Sequence, residues 1–183
     1  MTEFEPILIA ILSFIPAMIA NSLAVVFGGG PPIDGGIKFG GKRILGDGKT
    51  WRGLFGGGLS AAVVGIILYF LCRPFFDLYP SLLQGLVPIF SLAFGSLLGD
   101  IGGSFVKRRM GKPRGSKAPM IDRYDFVIGA FLLTFITSHS WFVSTYVDYP
   151  GVVGTIIVLL LLPLLHRGVN IIGYKLGLKK EPW

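Results

Sequence analysis

Four segments of this sequence contain no Asp, Glu, Lys or Arg over 18 to 22 consecutive residues, namely 6–27, 53–71, 82–99 and 126–147. A helix needs about 20 apolar residues to cross the roughly 30 Å hydrocarbon core of a bilayer. A fifth uncharged run, 151–165, is shorter, and we expect its helix to continue to about residue 174, with Arg167 reaching the lipid headgroups. The runs predict an all-α, polytopic membrane protein of about five transmembrane helices in one domain, residues 1–183.

The composition agrees with a chain that lies in the membrane. Hydrophobic residues make up 52% of the sequence and charged residues 15%, and the mean hydropathy is +0.69. A soluble domain of this size would need more polar surface. The first run follows Glu3 and Glu5, where a cleaved signal peptide would carry basic residues, so we expect this helix to be retained.

The basic residues predict the orientation of the helices. Five lie in residues 28–52, seven in 100–125 and four after residue 165, which together are 16 of the 17 Lys and Arg residues. With five helices these segments share one side, and the positive-inside rule makes that side cytoplasmic. The sequence therefore predicts an external N-terminus, cytoplasmic loops 28–52 and 100–125, and a multi-pass protein of the cell membrane without a nucleic-acid partner. Topology and attraction to anionic lipid explain about half of these charges.

Small residues recur at every fourth position in the second and third predicted helices. The stripes are Gly53, Gly57, Ala61 and Gly65 in one helix, and Ser91, Gly95, Gly99 and Gly103 in the other. Such stripes let helix backbones approach closely in the membrane, so both helices should pack tightly against neighbours. Cys72 is the single cysteine and is predicted to be a free thiol.

A first polar cluster follows the third uncharged run. If that helix continues from residue 99 towards 108, then Asp100, Ser104, Lys107 and Arg108 share one of its faces. A carboxylate, a hydroxyl and two cations at a membrane surface could hold a metal-bound phosphate. The alternative is an interfacial aspartate paired with its own lysines, which contributes little free energy.

A second cluster, Asp122-Arg123-Tyr124-Asp125, precedes the fourth run. A helix that begins here places Asp122 and Asp125 on one side. Carboxylates in a first helical turn also serve as caps, which is the competing interpretation. Because both clusters lie at the same membrane face, they could converge on a divalent cation, and Mg²⁺ prefers a few carboxylates with phosphate oxygens and water.

A third element is the glycine-rich loop between the first two helices. Its glycines expose backbone amides, and its Lys, Thr and Arg side chains can hold phosphate oxygens; the candidates are Lys38, Lys42, Arg43, Lys49, Thr50 and Arg52. Asp34 and Asp47 lie in the same loop. Asn21, inside the first helix, is costly in a membrane unless it has a partner; a helix–helix hydrogen bond is slightly favoured over a place in the wall of a site.

These motifs resemble two related families. Asp100, Ser104, Lys107 and Arg108, followed by Asp122, Arg123 and Asp125, resemble the signature of the phosphatidate cytidylyltransferases, whose bacterial members are longer and have an acid where Arg52 stands. The short length, Asn21, residues 27–34 and residues 43–50 resemble the archaeal CDP-archaeol synthases more closely, with motifs in order over most of residues 14–130.

The resemblance implies that CTP donates a cytidylyl group to the phosphate of 2,3-bis-O-(geranylgeranyl)-sn-glycerol 1-phosphate. It implies Asp100 and Asp122 as the main Mg²⁺ ligands and as catalytic residues together with Lys49 and Arg123. Asp125 would be a ligand or would support one. The residues expected to bind the nucleotide or its phosphates are Asp34, Lys38, Lys42, Arg43, Asp47, Thr50, Arg52, Ser104, Lys107 and Arg108.

Alternative functions remain at the level of the sequence. One is a CDP-diacylglycerol synthase that acts on phosphatidate. A CDP-alcohol phosphotransferase would need Asp-Gly followed by Ala-Arg and later aspartates, whereas here Phe126, Val127 and Ile128 follow Asp125. A small transporter or scaffold would more often carry its polar groups near the membrane midplane, whereas here the carboxylates lie outside the runs.

Overall fold

The computed structural model describes residues 4–113, 116, 118–175 and 177. Seven α-helices, one π-helical segment and one β-hairpin make up the described chain. In chain order they are α1 (Glu5–Ser13), α2 (Ile15–Val26), β1 (Lys38–Phe39), β2 (Lys42–Arg43), α3 (Trp51–Cys72), α4 (Leu82–Arg109), α5 (Pro119–Thr137), α6 (His139–Phe142), the π-helical Val143–Val147 and α7 (Gly151–Lys175).

The first predicted helix, 6–27, consists of α1 and α2 in one apolar segment, Glu5–Val26. The helices meet at Phe14, and Pro16 lies in the first turn of α2. Proline is tolerated there because the first N–H groups of a helix have no partner within the helix. The fully buried ring of Phe14 makes an edge contact with Phe131, with ring centroids 5.1 Å apart.

Helices α3 and α4 agree with the predicted segments 53–71 and 82–99. Each begins at a hydroxyl cap, since Thr50 Oγ1 accepts from the N–H of Gly53 at 3.1 Å and Ser81 Oγ accepts from the N–H of Gln84 at 3.2 Å. Such caps satisfy N–H groups that the helix leaves free. Helix α4 continues to Arg109, so the predicted extension towards residue 108 is confirmed.

The predicted single helix 126–147 is wrong. Helix α5 begins seven residues earlier, at Pro119, and ends at Thr137, after which the chain turns at Ser138. The hydroxyl groups of Thr134 and Thr137 donate to the carbonyls four residues before them, at 2.8 Å each, and such bonds compete with regular helix continuation. The segments His139–Val147 and Gly151–Leu162 then form a pair bent by 76°.

By length and composition, three helices of the described chain can cross a membrane, and the bent pair makes a fourth if it counts as one span. These are Glu5–Val26, Trp51–Cys72 and Leu82–Arg109. Helix α5 has Asp122, Arg123 and Asp125 near its start, which shortens its apolar part. The chain is therefore a multi-pass membrane protein, and the count of five spans and the external N-terminus stay predictions.

The stripes of small residues form the helix contacts. A Cβ at Gly57 would lie 2.7 Å from the backbone of Ala24 on α2, and one at Gly95 would lie 2.9 Å from the Cα of Ala130 on α5. At Gly99 and Gly129, α4 and α5 approach backbone to backbone. The predicted close packing of both helices is thus confirmed. Cys72 is free and partly buried.

The two basic loops meet at one end of the helix bundle. The hairpin, residues 37–46, turns at Gly40 and Gly41, whose φ angles of 59° and 77° suit a two-residue turn that glycine adopts without strain. Its backbone carbonyls contact the last turn of α4. Helix α7 starts beside α1, where a Cβ at Gly154 would lie 2.8 Å from the Cβ of Ala10, and its Val158 and Leu162 share a core with Phe14 and Ala17.

The described contacts of α7 with α1 and α2 lie at Gly154, Val158 and Leu162, and the predicted position of its end beside the two basic loops stays a prediction. Lys175 is the last basic residue of the described chain. Arg114, Lys117, Lys179 and Lys180, which the charge count also used, lie outside the described residues.

We expect a cysteine at Lys112 to face the cytoplasm and a cysteine at Asp77, in the connection between α3 and α4, to face outside. The positive-inside rule gives the physical reason. Both variants would carry Cys72→Ser, and labelling of sealed cells with an impermeant thiol reagent would measure exposure. Labelling at position 112 but not at position 77 would contradict the orientation.

Candidate active site

A cavity of about 450 Å³ opens where the glycine-rich loop meets α2, α3, α4 and α5. Its lining residues come from five parts of the chain and are Asn21, Ala24, Val25, Gly28, Gly29, Ile33, Asp47, Gly48, Lys49, Thr50, Gly53, Leu54, Leu97, Asp100, Ile101, Asp122 and Asp125. One part of the wall is polar and carries four aspartates, whereas Leu54, Leu97 and Ile101 make another part apolar. The cavity thus offers a charged surface and an apolar surface, which one ligand or two different ligands can contact.

Asp100 joins α4 to the glycine-rich loop. Its Oδ2 forms an ion pair with Nζ of Lys49, and both side chains are about three-quarters buried. Lys49 immediately precedes Thr50, which caps α3, so the ammonium group is held at the mouth of the cavity. The predicted clusters of Asp100 and of Lys49 therefore meet in one place.

Asp122 has two partners at the start of α5. Its Oδ1 accepts from Nζ of Lys107 at 2.6 Å, and its Oδ2 accepts from the backbone N–H of Ala118 at 2.8 Å. The second bond satisfies an N–H that the helix leaves free. Asp122 therefore accepts from an N–H at the start of α5 and also lines the cavity wall, and its role as a cation ligand stays a prediction.

Asp125 is held against α4 by glycine. A Cβ at Gly103 would overlap its carboxylate, and a Cβ at Gly99 would overlap its backbone carbonyl. Its Oδ1 accepts from the N–H of Phe126 at 2.7 Å, whereas its Oδ2 is buried and has no hydrogen-bond partner among the described residues. A buried carboxylate oxygen without a partner is costly, which suits an oxygen that a bound ligand satisfies.

Asp34 organises the loop and lies below the surface. Arg43 donates to it through Nη2 at 2.7 Å and Nε at 3.2 Å. Three backbone N–H groups also donate to it, those of Gly36, Leu45 and Gly46. The Arg43 guanidinium above all, and then these N–H groups, hold the pKa of the Asp34 carboxyl well below its usual range, against the opposing effect of burial.

Arg43 also bonds Asp47, with Nη1 2.8 Å from Oδ1. Asp47 lines the cavity and is followed directly by Gly48, Lys49 and Thr50. The chain of contacts from Asp34 through Arg43 to Asp47 therefore fixes the segment that forms this wall. Asp34 and Arg43, which we expected to bind the nucleotide, bind each other, and their part in nucleotide binding stays a prediction.

Asn21 lies in the cavity wall beside Ala24 and Leu54. The slightly favoured alternative, a hydrogen bond between helices, has no counterpart in the described hydrogen bonds of the bundle. Ser96 provides such a bond instead, since its hydroxyl donates to the carbonyl of Ala17 at 2.8 Å.

Nine of the predicted site residues do not line the cavity. Asp34 pairs with Arg43, and Lys107 pairs with Asp122. Lys38, Lys42, Arg52 and Arg123 are exposed, and Ser104 is buried. Arg108 donates from Nε to the carbonyl of Leu45 at 3.2 Å and also bonds the carbonyl of Lys112. These residues surround the cavity rather than form its surface.

Arg109 was not among the predicted site residues. It donates to three backbone carbonyls of the hairpin, those of Phe39, Lys42 and Arg43. No local sequence pattern indicates such bonds, because a backbone carbonyl looks the same at every residue.

The aspartates of the cavity wall are the candidate ligands for a cation. Within the described ranges, no group of three or more His, Cys, Asp or Glu side chains is gathered so that it could hold a metal ion. Mg²⁺ is usually held by only one or two carboxylates together with substrate phosphates and water. Asp100, Asp122 and Asp125 all line this wall, so one or two of them could supply such ligands, and the Mg²⁺ site stays a prediction.

Comparisons with known proteins agree on one family. A family model described as "CarS-like: CDP-archaeol synthase" matches residues 4–183. The CDP-archaeol synthase of Methanosarcina mazei is 45% identical over 178 residues, covering 92% of this chain and 99% of the relative. That of Picrophilus torridus is 42% identical over 187 aligned positions, covering all of both chains. A solved structure described as an intramembrane enzyme for archaeal membrane lipids biosynthesis has a TM-score of 0.73 at 36% identity, covering 90% of this chain and 94% of that one.

Proposed function

The chain belongs to the CDP-archaeol synthase family, and we propose that its substrates are CTP and 2,3-bis-O-(geranylgeranyl)-sn-glycerol 1-phosphate. It is a cytidylyltransferase of archaeal lipid biosynthesis and a multi-pass membrane protein. The observation that supports the assignment within the molecule is a cavity whose wall is polar at Lys49, Asp100 and Asp122 and apolar at Leu54, Leu97 and Ile101. A triphosphate suits the first surface and a lipid the second.

The reaction is a phosphoryl-type transfer without a protein nucleophile. An oxygen of the lipid phosphate attacks the α-phosphorus of CTP, the new P–O bond joins CMP to the lipid phosphate, and the bond to the β-phosphate breaks. Pyrophosphate leaves with the electron pair. The attacking phosphate is already anionic near neutral pH, because its second pKa is about 6. The protein must therefore bring two anions together and stabilise charge on the leaving group.

Lys49 is the residue best placed to bind phosphate oxygens. Its ammonium group lies at the cavity wall and is paired with Asp100. Gly48 and the capped N-terminus of α3 at Thr50 lie directly beside it, and helix N-termini favour anions. We infer that Lys49 and this turn of backbone hold the triphosphate, with Lys107 and Arg108 nearby.

We also infer that Mg²⁺ takes part, held by Asp100 and Asp122 with Asp125 as a third ligand or as their support. Four aspartates and one lysine line the cavity, so an anionic triphosphate would meet carboxylates unless a cation accompanied it. When bound, the ion would screen the charge of both substrates and of the leaving group. The lysine partners of Asp100 and Asp122 hold these carboxylates in position before substrates bind.

The alternatives from the sequence fit less well. A transporter or scaffold does not explain a family match over residues 4–183. A CDP-diacylglycerol synthase would use the same chemistry on another lipid, and the choice of lipid is what the next experiment measures.

We expect CTP with an unsaturated diprenyl glycerol phosphate to give the fastest release of pyrophosphate, and ATP, GTP and diacyl phosphatidate to serve poorly. The expectation rests on the family, since no residue described above specifies a base. The purified protein in detergent or nanodiscs would be assayed with each nucleotide and each lipid phosphate. Equal rates with GTP and CTP would contradict the nucleotide assignment. A preference for phosphatidate would assign the bacterial-type activity.

A further inference from the structure

Arg109 ends α4 and is joined to the hairpin, residues 37–46. Its Nη2 donates to the carbonyl of Arg43 at 2.8 Å and to that of Lys42 at 3.2 Å, and its Nη1 donates to the carbonyl of Phe39. Its guanidinium also lies over two aromatic rings, 5.2 Å from the centroid of Phe39 and 5.5 Å from that of Phe105. The Arg109 side chain therefore donates hydrogen bonds to backbone carbonyls of both strands of the hairpin.

Arg109 is not a solvated surface charge of the kind that only sets topology. Its Nε is buried and has no hydrogen-bond partner among the described residues. The planar guanidinium directs its donors in fixed directions and stacks on rings, which a lysine ammonium cannot reproduce. The arrangement is therefore specific to arginine at this position.

Arg109 is connected to the cavity through Arg43. The hydrogen bond from Arg109 fixes the backbone carbonyl of Arg43, and the side chain of Arg43 bridges Asp34 and Asp47. Asp47 is two residues before Lys49, and both line the cavity. Because Arg109 and Asp100 belong to the same helix, α4 holds the loop at both ends, at the hairpin through Arg109 and at the cavity through the ion pair of Asp100 with Lys49.

We propose that Arg109 is a positioning residue that sets the register of the loop 37–50 against α4 and thereby the affinity of the site for the nucleotide triphosphate. The inference rests on the proposed function for the identity of that ligand. It does not make Arg109 a catalytic residue, since its bonds go to backbone carbonyls of the hairpin and it does not line the cavity. The lipid phosphate, which approaches from the membrane side, should be bound as well without it.

The test uses Arg109→Leu and Arg109→Lys in the full chain. For Arg109→Leu we expect the KM for CTP to rise about tenfold, because the hydrogen bonds that hold the hairpin to α4 through this side chain are lost, while the KM for the lipid phosphate stays within about twofold. Arg109→Lys keeps the positive charge but loses the planar guanidinium with its fixed set of N–H donors, so the KM of this variant for CTP should also rise. Amide hydrogen exchange of residues 38–46 should be faster in both variants without any substrate.

Arg73→Leu is the matched control. Arg73 also donates one hydrogen bond, to Tyr69 Oη at 2.8 Å, and lies over the same ring at 5.5 Å, but at the other end of α3. This variant should change neither the KM for CTP nor exchange in the hairpin.

Each other outcome is decisive. Wild-type KM for CTP in Arg109→Lys would mean that charge attraction alone acts, and it would overturn the proposal. Unchanged exchange of residues 38–46 in Arg109→Leu would overturn it too, as would faster exchange with an unchanged KM. A wild-type protein that exchanges as expected but does not turn over CTP would instead contradict the proposed function and, with it, the nucleotide as the ligand that Arg109 serves.

Discussion

Asp100→Asn and Asp122→Asn should each lower the kcat of CTP turnover by about a hundredfold or more, on the order of 3 kcal/mol in the barrier. Asparagine keeps the size of the side chain, and at position 122 its one oxygen can still accept the hydrogen bond that Ala118 donates at 2.8 Å. The change removes the carboxylate charge and, with it, the ion pair to Lys49 or to Lys107. A carboxylate that holds a cation shared by both substrates acts in the transition state, so the loss should appear in kcat as well as in KM.

The double variant should be little worse than either single one, because two groups that act as one unit are not additive. Steady-state kinetics at several Mg²⁺ concentrations would measure the effect, and isothermal titration with Mg²⁺ and CTP would measure binding apart from turnover. Asp77→Asn, an exposed carboxylate at the other end of the bundle, should behave like the wild type.

The competing interpretation gives different numbers. If Asp100 and Asp122 serve only as ion-pair and cap partners, each substitution should cost about 1 kcal/mol of stability and leave turnover near normal. Folded Asp100→Asn protein that retains most of its magnesium-dependent turnover would therefore refute the assignment.

The sequence could predict the helices that charged residues flank. Helices α3 and α4 end close to the predicted limits because the apolar run and the polar caps agree there. The segment 126–147 failed for the opposite reason, since it is apolar throughout and nothing in its composition distinguishes one helix from the turn at Ser138 and the π-helical segment Val143–Val147. Hydropathy indicates that a residue lies in the membrane region, but it does not indicate where a helix ends or bends within that region.

Some features of the candidate site could also be predicted from the sequence, and others could not. The meeting of Asp100 with Lys49, and the lining of one cavity by Asp100, Asp122 and Asp125, could be expected from polar residues that lie at one membrane face. The pairing of Asp34 with Arg43 could not be expected, because the same loop contains five Lys and Arg residues and the sequence does not indicate which of them lies beside Asp34. Their bond depends on how the hairpin folds, and the contacts of Arg109 depend on backbone atoms that carry no sequence signal.

The glycines between α4 and α5 give the second large expected effect, and Gly99→Ala is the variant that isolates it. A Cβ at this position would overlap the backbone carbonyl of Asp125 and lie 3.0 Å from the Cα of Gly129. Backbone cannot rotate away as a flexible side chain can, so the two helices must separate. Overpacking of this kind costs about 1–3 kcal/mol.

Because Gly99 adjoins Asp100 and faces Asp125, separation of the helices also displaces the carboxylates from one another. We therefore expect Gly99→Ala to lower the midpoint of thermal unfolding in detergent by several degrees and CTP turnover by about tenfold or more, since displacements of about 1 Å can cost a hundredfold. Gly102→Ala is the matched control on the same helix, because a Cβ there meets nothing within 4 Å. Alanine is the better helix former by about 1 kcal/mol, so this variant should be as stable as the wild type or more so, with normal turnover. Equal behaviour of the two alanine variants would show that the close approach of α4 and α5 does not determine the geometry of the site.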